Sequence, residues 1–205
     1  MSTKNSVNDC LQSVLTAKKL PIILIDPHFV ISRGTVGRLL ASQLEIPLIN
    51  LEDVSEQYWQ EIGYQEELDE QAWENNQADG VYRYLMPFNV HAIERGVAEY
   101  SNCVIELGAL QSVYDDDEFF QRVSQVLEPC NVVLLLPSED VEESLKIFKE
   151  RDRIIINSEE MNEHFLTHHS NDDLAKYTFY TKDKTPEQTT EEILAHINSD
   201  TSEII

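Results

Sequence analysis

Short runs that are apolar throughout alternate along this chain with longer amphipathic ones. Pro21-Ile-Ile-Leu-Ile25 is rich in β-branched residues and stops at Asp26-Pro27. It predicts a buried strand, because a strand covered on both faces has no polar side to show. Ile46-Pro-Leu-Ile49, Cys103-Val-Ile-Glu-Leu107, Asn131-Val-Val-Leu-Leu-Leu136 and Tyr177–Thr181 fit the same description. Between them the period lengthens. Val36, Leu39, Leu40 and Leu44 share one side of a helix over Thr35–Leu44. Val54–Asn75 predicts one long acidic helix whose apolar contacts are Tyr58, Trp59, Ile62 and Leu68. Another is expected over Tyr82–Tyr100, with Pro87 as an alternative start. Asp115–Asp117 offer caps for a helix over Glu118–Leu127, and Ser138 caps the next, to about Arg151. Helical turns follow at Met161–Leu166 and Asp172–Lys176, and Pro186 opens a final helix to Ile197.

Strands alternating with helices, each strand apolar throughout, predict the α/β class: a three-layer α/β/α domain with a five-stranded parallel sheet. The expected organisation is an N-terminal extension over 1–20, one domain over 21–197 and a tail over 198–205. Ligands of such sheets sit at the C-terminal ends of the strands, here Asp26, Asn50, Leu107 and Pro137.

Charge narrows the partners. The 205 residues carry 38 acidic and 15 basic side chains, a net charge of −23. Such a surface repels nucleic acids and anionic membranes, so neither is an expected partner. The three cysteines, Cys10, Cys103 and Cys130, are too few and too scattered for a disulfide framework or a zinc site. No apolar run is long enough to span a bilayer, and Met1–Lys19 lacks an uninterrupted apolar core, so a cytoplasmic location is the expectation. Composition leaves the oligomeric state open.

The segment after the first strand is Asp26-Pro-His-Phe-Val-Ile-Ser-Arg-Gly-Thr35. A phosphate-binding loop has the pattern GxxxxGK[ST]: glycines let main-chain N–H groups turn inward, the lysine brings charge, and the hydroxyl holds magnesium. Ser32-Arg33-Gly34-Thr35 occupies the Gly-Lys-Ser/Thr corner, and either Pro27 falls on the first glycine or Asp26 does with one residue inserted. Both loop glycines are therefore lost. A cation at Arg33 and a hydroxyl at Thr35 remain.

The flanks carry a family resemblance. Thr35-Val-Gly-Arg-Leu-Leu-Ala41 resembles the first helix of shikimate kinases, and Ile46–Asp53 their second strand with its Asp-x-Asp pair. Tyr82-Arg83 resembles their Phe-Arg, and Leu107-Gly108-Ala109 their Gly-Gly-Gly turn. Leu174-Ala175 and Thr181–Glu192 resemble the closing strand and helix. The resemblance spans about Pro21–Ile197, with a closer likeness to a divergent branch of such proteins. It implies a P-loop kinase-like domain with ATP and Mg2+ as cofactors.

Carried over residue by residue, it puts Ser32, Arg33, Gly34 and Thr35 on the nucleotide phosphates, with Arg151 and Arg153 as lid charges. Thr35 and Asn50 stand near magnesium. Glu52, Arg83 and Gly108 line the acceptor site, and His91 is a candidate beside them. Glu106, at a strand end, offers a base or a magnesium ligand. The departures are as informative. Asn50 and Glu52 replace the paired aspartates, and Thr167 and His168 stand where the family has a second substrate arginine. A carboxylate that loses half its charged partners loses about 2–5 kcal/mol of binding. The implied activity is thus ATP-dependent phosphoryl transfer to a hydroxyl of some compound other than shikimate. Two alternatives stay open: a pseudokinase that binds a partner or ligand on the same fold, and an enzyme using the crevice without ATP.

His164, His168 and His169, with Glu160 and Glu163, suggest metal ligands by their helical spacing, yet spacing implies no third ligand. Surface histidines are the expectation there, and capping is the expectation for Asp115–Asp117.

Overall fold

The computed structural model of the protein describes residues 20–27, 35–150 and 159–202. Five strands, β1 (Ile22–Ile25), β2 (Leu48–Asn50), β3 (Val104–Leu107), β4 (Asn131–Leu136) and β5 (Tyr177–Tyr180), form one sheet in the order β2-β3-β1-β4-β5. All pairs are parallel. β1 therefore lies in the centre, which accounts for four consecutive buried residues at Ile22–Ile25.

The connections are helical: α1 (Thr35–Leu44), α2 (Leu51–Glu61), α3 (Glu66–Glu99), α4 (Asp117–Leu127), α5 (Val141–Glu150), α6 (Glu159–Thr167), α7 (His169–Leu174) and α8 (Pro186–Ser202). A 3-10 turn, Ala109–Gln111, follows β3. Alternate strand residues feed two cores. Ile23, Ile25, Ile105, Leu107, Val132 and Leu134 meet Leu51, Tyr58, Tyr82, Met86, Val90, Ile93 and Phe165 on one face. Ile22, Leu24, Val104, Val133, Leu135 and Phe179 meet Leu40, Ala41 and Ile193 on the other.

The stretch between β2 and β3 departs from the expected helices. One helix over Val54–Asn75 is replaced by α2, ending at Glu61, and by α3. Gly63 makes the break. Its φ of +88° lies in the left-handed region, where a Cβ is strained. α3 then runs straight through Pro87, with Tyr82, Leu85, Met86, Phe88 and Val90 buried around it. Packing of that face outweighs the lost helical hydrogen bond. α3 kinks instead at Asn76 and Gln77, where Gln77 has φ 49°.

Candidate functional site

The C-terminal edge of β1, β2 and β3 gathers most of the described polar candidates. In register, Asn50 lies opposite Glu106, and Glu106 opposite Leu24. Because Ile105 and Leu107 point into the core under α2 and α3, Glu106 points to the face that α1 covers. It meets Gly37 there. A Cβ on Gly37 would stand 2.9 Å from the Glu106 Cδ, so α1 approaches this carboxylate only because residue 37 has no side chain. Thr35, the first residue of α1, is two positions away, and its Oγ1 accepts a long 3.5 Å hydrogen bond from Arg38 Nη2. A carboxylate beside the first turn of a helix is held favourably by the helix dipole.

Asn50 has a structural duty. Its Oδ1 accepts from Glu52 N–H at 3.1 Å, capping α2. Asparagine caps as well as aspartate does, so the helix start tolerates this replacement. Glu52 bends back toward the turn after β3, with its Oε1 2.9 Å from where a Cβ on Gly108 would be. Two glycines thus admit two carboxylates to one edge of the sheet.

The loop beneath is fixed by buried side chains. Gln111 Oε1 accepts from Gly108 N–H (3.2 Å) and Gln111 Nε2 donates to Ser55 Oγ (3.2 Å), which donates to Leu51 O (2.6 Å). Tyr114 Oη donates to Gln111 O at 2.6 Å, and Tyr82 Oη to Val113 O at 3.2 Å. Burial pushes the Tyr82 and Tyr114 hydroxyls above the ordinary tyrosine range. Asn89 Nδ2 donates to Leu110 O at 3.0 Å.

Arg83 and His91 are engaged with carboxylates of α2 and α3. Arg83 Nε donates to Asp79 Oδ2 at 2.9 Å from an exposed face of α3. His91 Nε2 lies 2.8 Å from Glu61 Oε2, which also receives Arg95 Nε at 2.9 Å. His91 first, and Arg95 second, hold the Glu61 carboxyl below the ordinary carboxylate range. Ser32, Arg33, Gly34, Arg151 and Arg153 lie outside the described residues.

Sequence reasoning did not anticipate a second group of polar side chains. Asp116, not Asp115, caps α4, accepting from Glu118 N–H (2.9 Å) and Phe119 N–H (3.1 Å). Asp115 faces His164 of α6 and His168, the N-cap of α7. Helical spacing marks the two histidines, but a partner about fifty positions upstream leaves no trace in a spacing pattern.

Neither a protein-family model nor a curated protein sequence matches the chain. Solved structures do. A shikimate kinase from Acinetobacter baumannii, in complex with shikimate, superposes with a TM-score of 0.59 at 18% identity, covering 92% of this chain and 98% of that one. A gluconokinase from Sinorhizobium meliloti 1021 gives 0.57 at 11% identity, over 92% and 97% of the two chains. The shikimate kinase of Aquifex aeolicus gives 0.54 at 16% identity, over 87% and 97%. The chain has the fold of the P-loop small-molecule kinases, in its shikimate-kinase-like form. No helix among the described residues is long and apolar enough to cross a membrane.

Proposed function

We propose that this chain is a small-molecule kinase, passing a phosphoryl group from Mg-ATP to a hydroxyl of a neutral or cationic compound other than shikimate. The observation that carries the reading is Glu106: a part-buried carboxylate at the strand ends, seated against Gly37 beside the start of α1. With the Thr35 hydroxyl and the Asn50 amide oxygen it makes an oxygen-only donor set, the chemistry a hard ion such as Mg2+ prefers. Those three would hold the ion, directly or through water. Ser32, Arg33 and Gly34 would contact the phosphates, with Arg151 and Arg153 as lid charges. Bound Mg-ATP supplies the transferable group, and the protein's part is positioning and charge neutralisation.

The acceptor class follows from charge. Residues 39–82 contain eleven carboxylates and no lysine, arginine or histidine. All but Glu45 lie in α2 and the first half of α3, and one of them, Glu52, reaches Gly108. Such a field repels an anionic acceptor and attracts a cationic one. Arg83, paired with Asp79, compensates only part of it. Isothermal titration of the full chain with Mg-ATP tests the proposal: binding below millimolar concentration is expected, and none at millimolar nucleotide sinks it.

A second reading, a pseudokinase that binds a ligand or partner, is favoured by Pro27 and Ser32 at the two glycine positions of the loop. Pro27→Gly, Ser32→Gly and Arg33→Lys together separate the two. Nucleotide binding gained by this variant and lacking in the native chain supports the pseudokinase; turnover by the native chain rejects it.

A further inference from the structure

Three side chains from three separate segments converge between α4, α6 and α7. Asp115 precedes the cap of α4, His164 lies in α6, and His168 caps α7. One ligand atom from each falls within 4.8 Å of the others. Asp115 Oδ1 is 3.4 Å from His164 Nε2 and 3.5 Å from His168 Nε2. These separations are long for N–H···O hydrogen bonds, whose usual range ends near about 3.2 Å. They match the edge of a tetrahedron: ligands on arms of about 2.1 Å around one ion stand about 3.4 Å apart.

From this geometry we infer that Asp115, His164 and His168 form a binding site for a single zinc-class divalent cation. Two imidazoles and one carboxylate suit a borderline ion of this kind and not Mg2+, which prefers oxygen alone. The fourth position faces outward. Asp115 and His164 side chains are 37% and 38% exposed, whereas His168 is only 12% exposed and forms the floor. The ring of Tyr82 packs edge-on against His164 and Phe165, so the site sits over the α3–α6 contact. A bound ion would tie the start of α4 to α6 and α7.

Binding has a defined local cost. His168 Nδ1 accepts the Ser170 N–H at 3.2 Å, so the metal-free neutral ring carries its proton on Nε2, toward Asp115. An ion on Nε2 moves that proton to Nδ1, and the cap hydrogen bond to α7 is given up. The ring stays neutral in both states, and no net proton leaves it.

The test uses the full chain, stripped of metal with a chelator. Zn2+ titrated calorimetrically is expected to fill one site with micromolar or tighter affinity, and Co2+ in its place to give the visible spectrum of a four-coordinate ion. Asp115→Asn and His164→Gln should each weaken Zn2+ binding by more than about tenfold. His196→Gln, in α8 with its ring against Tyr177 and Phe179, should leave it unchanged. Zn2+ affinity unaltered by the first two substitutions overturns the site, as does an affinity no tighter than that for Mg2+. If either substituted chain fails to fold, the imidazole nitrogen resonances of the native protein decide. Zn2+ must shift the Nε2 signals of His164 and His168; shifts confined to other histidines overturn the site.

Discussion

The Glu106 carboxylate occupies the space in which a side chain on Gly37 would begin, with its Cδ 2.9 Å from that point. Alanine in a helix interior normally gains about 1 kcal/mol over glycine. Here Gly37→Ala is expected to lose about 1–2 kcal/mol, because the part-buried carboxylate must move aside. In a Glu106→Ala background the same change should recover its helical benefit. A double-mutant cycle from urea midpoints should therefore show coupling of about 2–3 kcal/mol, and additivity within about 0.5 kcal/mol would mean the two residues do not press on each other.

If Glu106 serves a magnesium ion, its charge should appear in the metal dependence of nucleotide binding and not in nucleotide binding itself. Glu106→Gln keeps the shape of the side chain. The expected outcome is a near-native urea midpoint, unchanged affinity for ATP in chelator, and loss of about tenfold or more in the gain that Mg2+ confers. Calorimetric titration with and without Mg2+ checks it. An equal loss in both conditions would move Glu106 from the ion to the nucleotide or to the packing.

The sheet was legible because its strands are short and mostly apolar, and their alternation with helices admits few arrangements. The helices between β2 and β3 were less so. Gly63 carried a stop signal, yet the polar, acidic stretch with scattered apolar residues continues on both sides of it and masks it. Pro87 suggested a boundary that the burial of Tyr82, Leu85 and Phe88 overrides. Strand-end residues such as Asn50 and Glu106 could be named in advance, since the edge that binds ligands follows from topology. Their neighbours could not. The approach of Gly37 to Glu106, of Gly108 to Glu52 and of Asp115 to two histidines depends on how helices dock, which local sequence does not encode. Pairs four residues apart, such as Asp79–Arg83 and His169–Asp173, are the kind of contact that spacing can foretell.

Gln111 holds the turn after β3 in place through three hydrogen bonds. It accepts from Gly108 N–H and Tyr114 Oη, and it donates to Ser55 Oγ. Gln111→Met preserves volume and removes both side-chain bonds, leaving the buried Ser55 hydroxyl and the Gly108 N–H short of partners. A loss of about 2–4 kcal/mol in unfolding free energy is expected. Ser55→Ala in the same background should recover little, because the Ser55 hydroxyl still donates to Leu51 O and the Gly108 N–H is the group left without its side-chain acceptor. A loss under about 0.5 kcal/mol for Gln111→Met would show that the turn is held by packing alone.

Several side chains tie stability to alkaline pH. Burial, with the Asp69 hydrogen bond second, pushes the Tyr64 hydroxyl up to about 12. Burial also raises Tyr82, Tyr114 and the Cys130 thiol above their ordinary values. A group whose folded pKa exceeds its unfolded one keeps its proton in the native state and releases it on unfolding. Its contribution is therefore complete below the unfolded value, near 9.0 for the thiol and 10.0 for the phenols, and is lost as pH rises toward the folded value. Urea midpoints should stay flat with respect to these groups below about pH 9 and fall steadily above about pH 10. Tyrosinate absorbance from the buried rings should appear only as the chain unfolds. Tyr114→Phe should make the fall shallower, since this hydroxyl donates its proton to the Gln111 carbonyl in the native state. All eight tyrosines of the sequence titrating together near pH 10.0 in a folded chain would rule out this account.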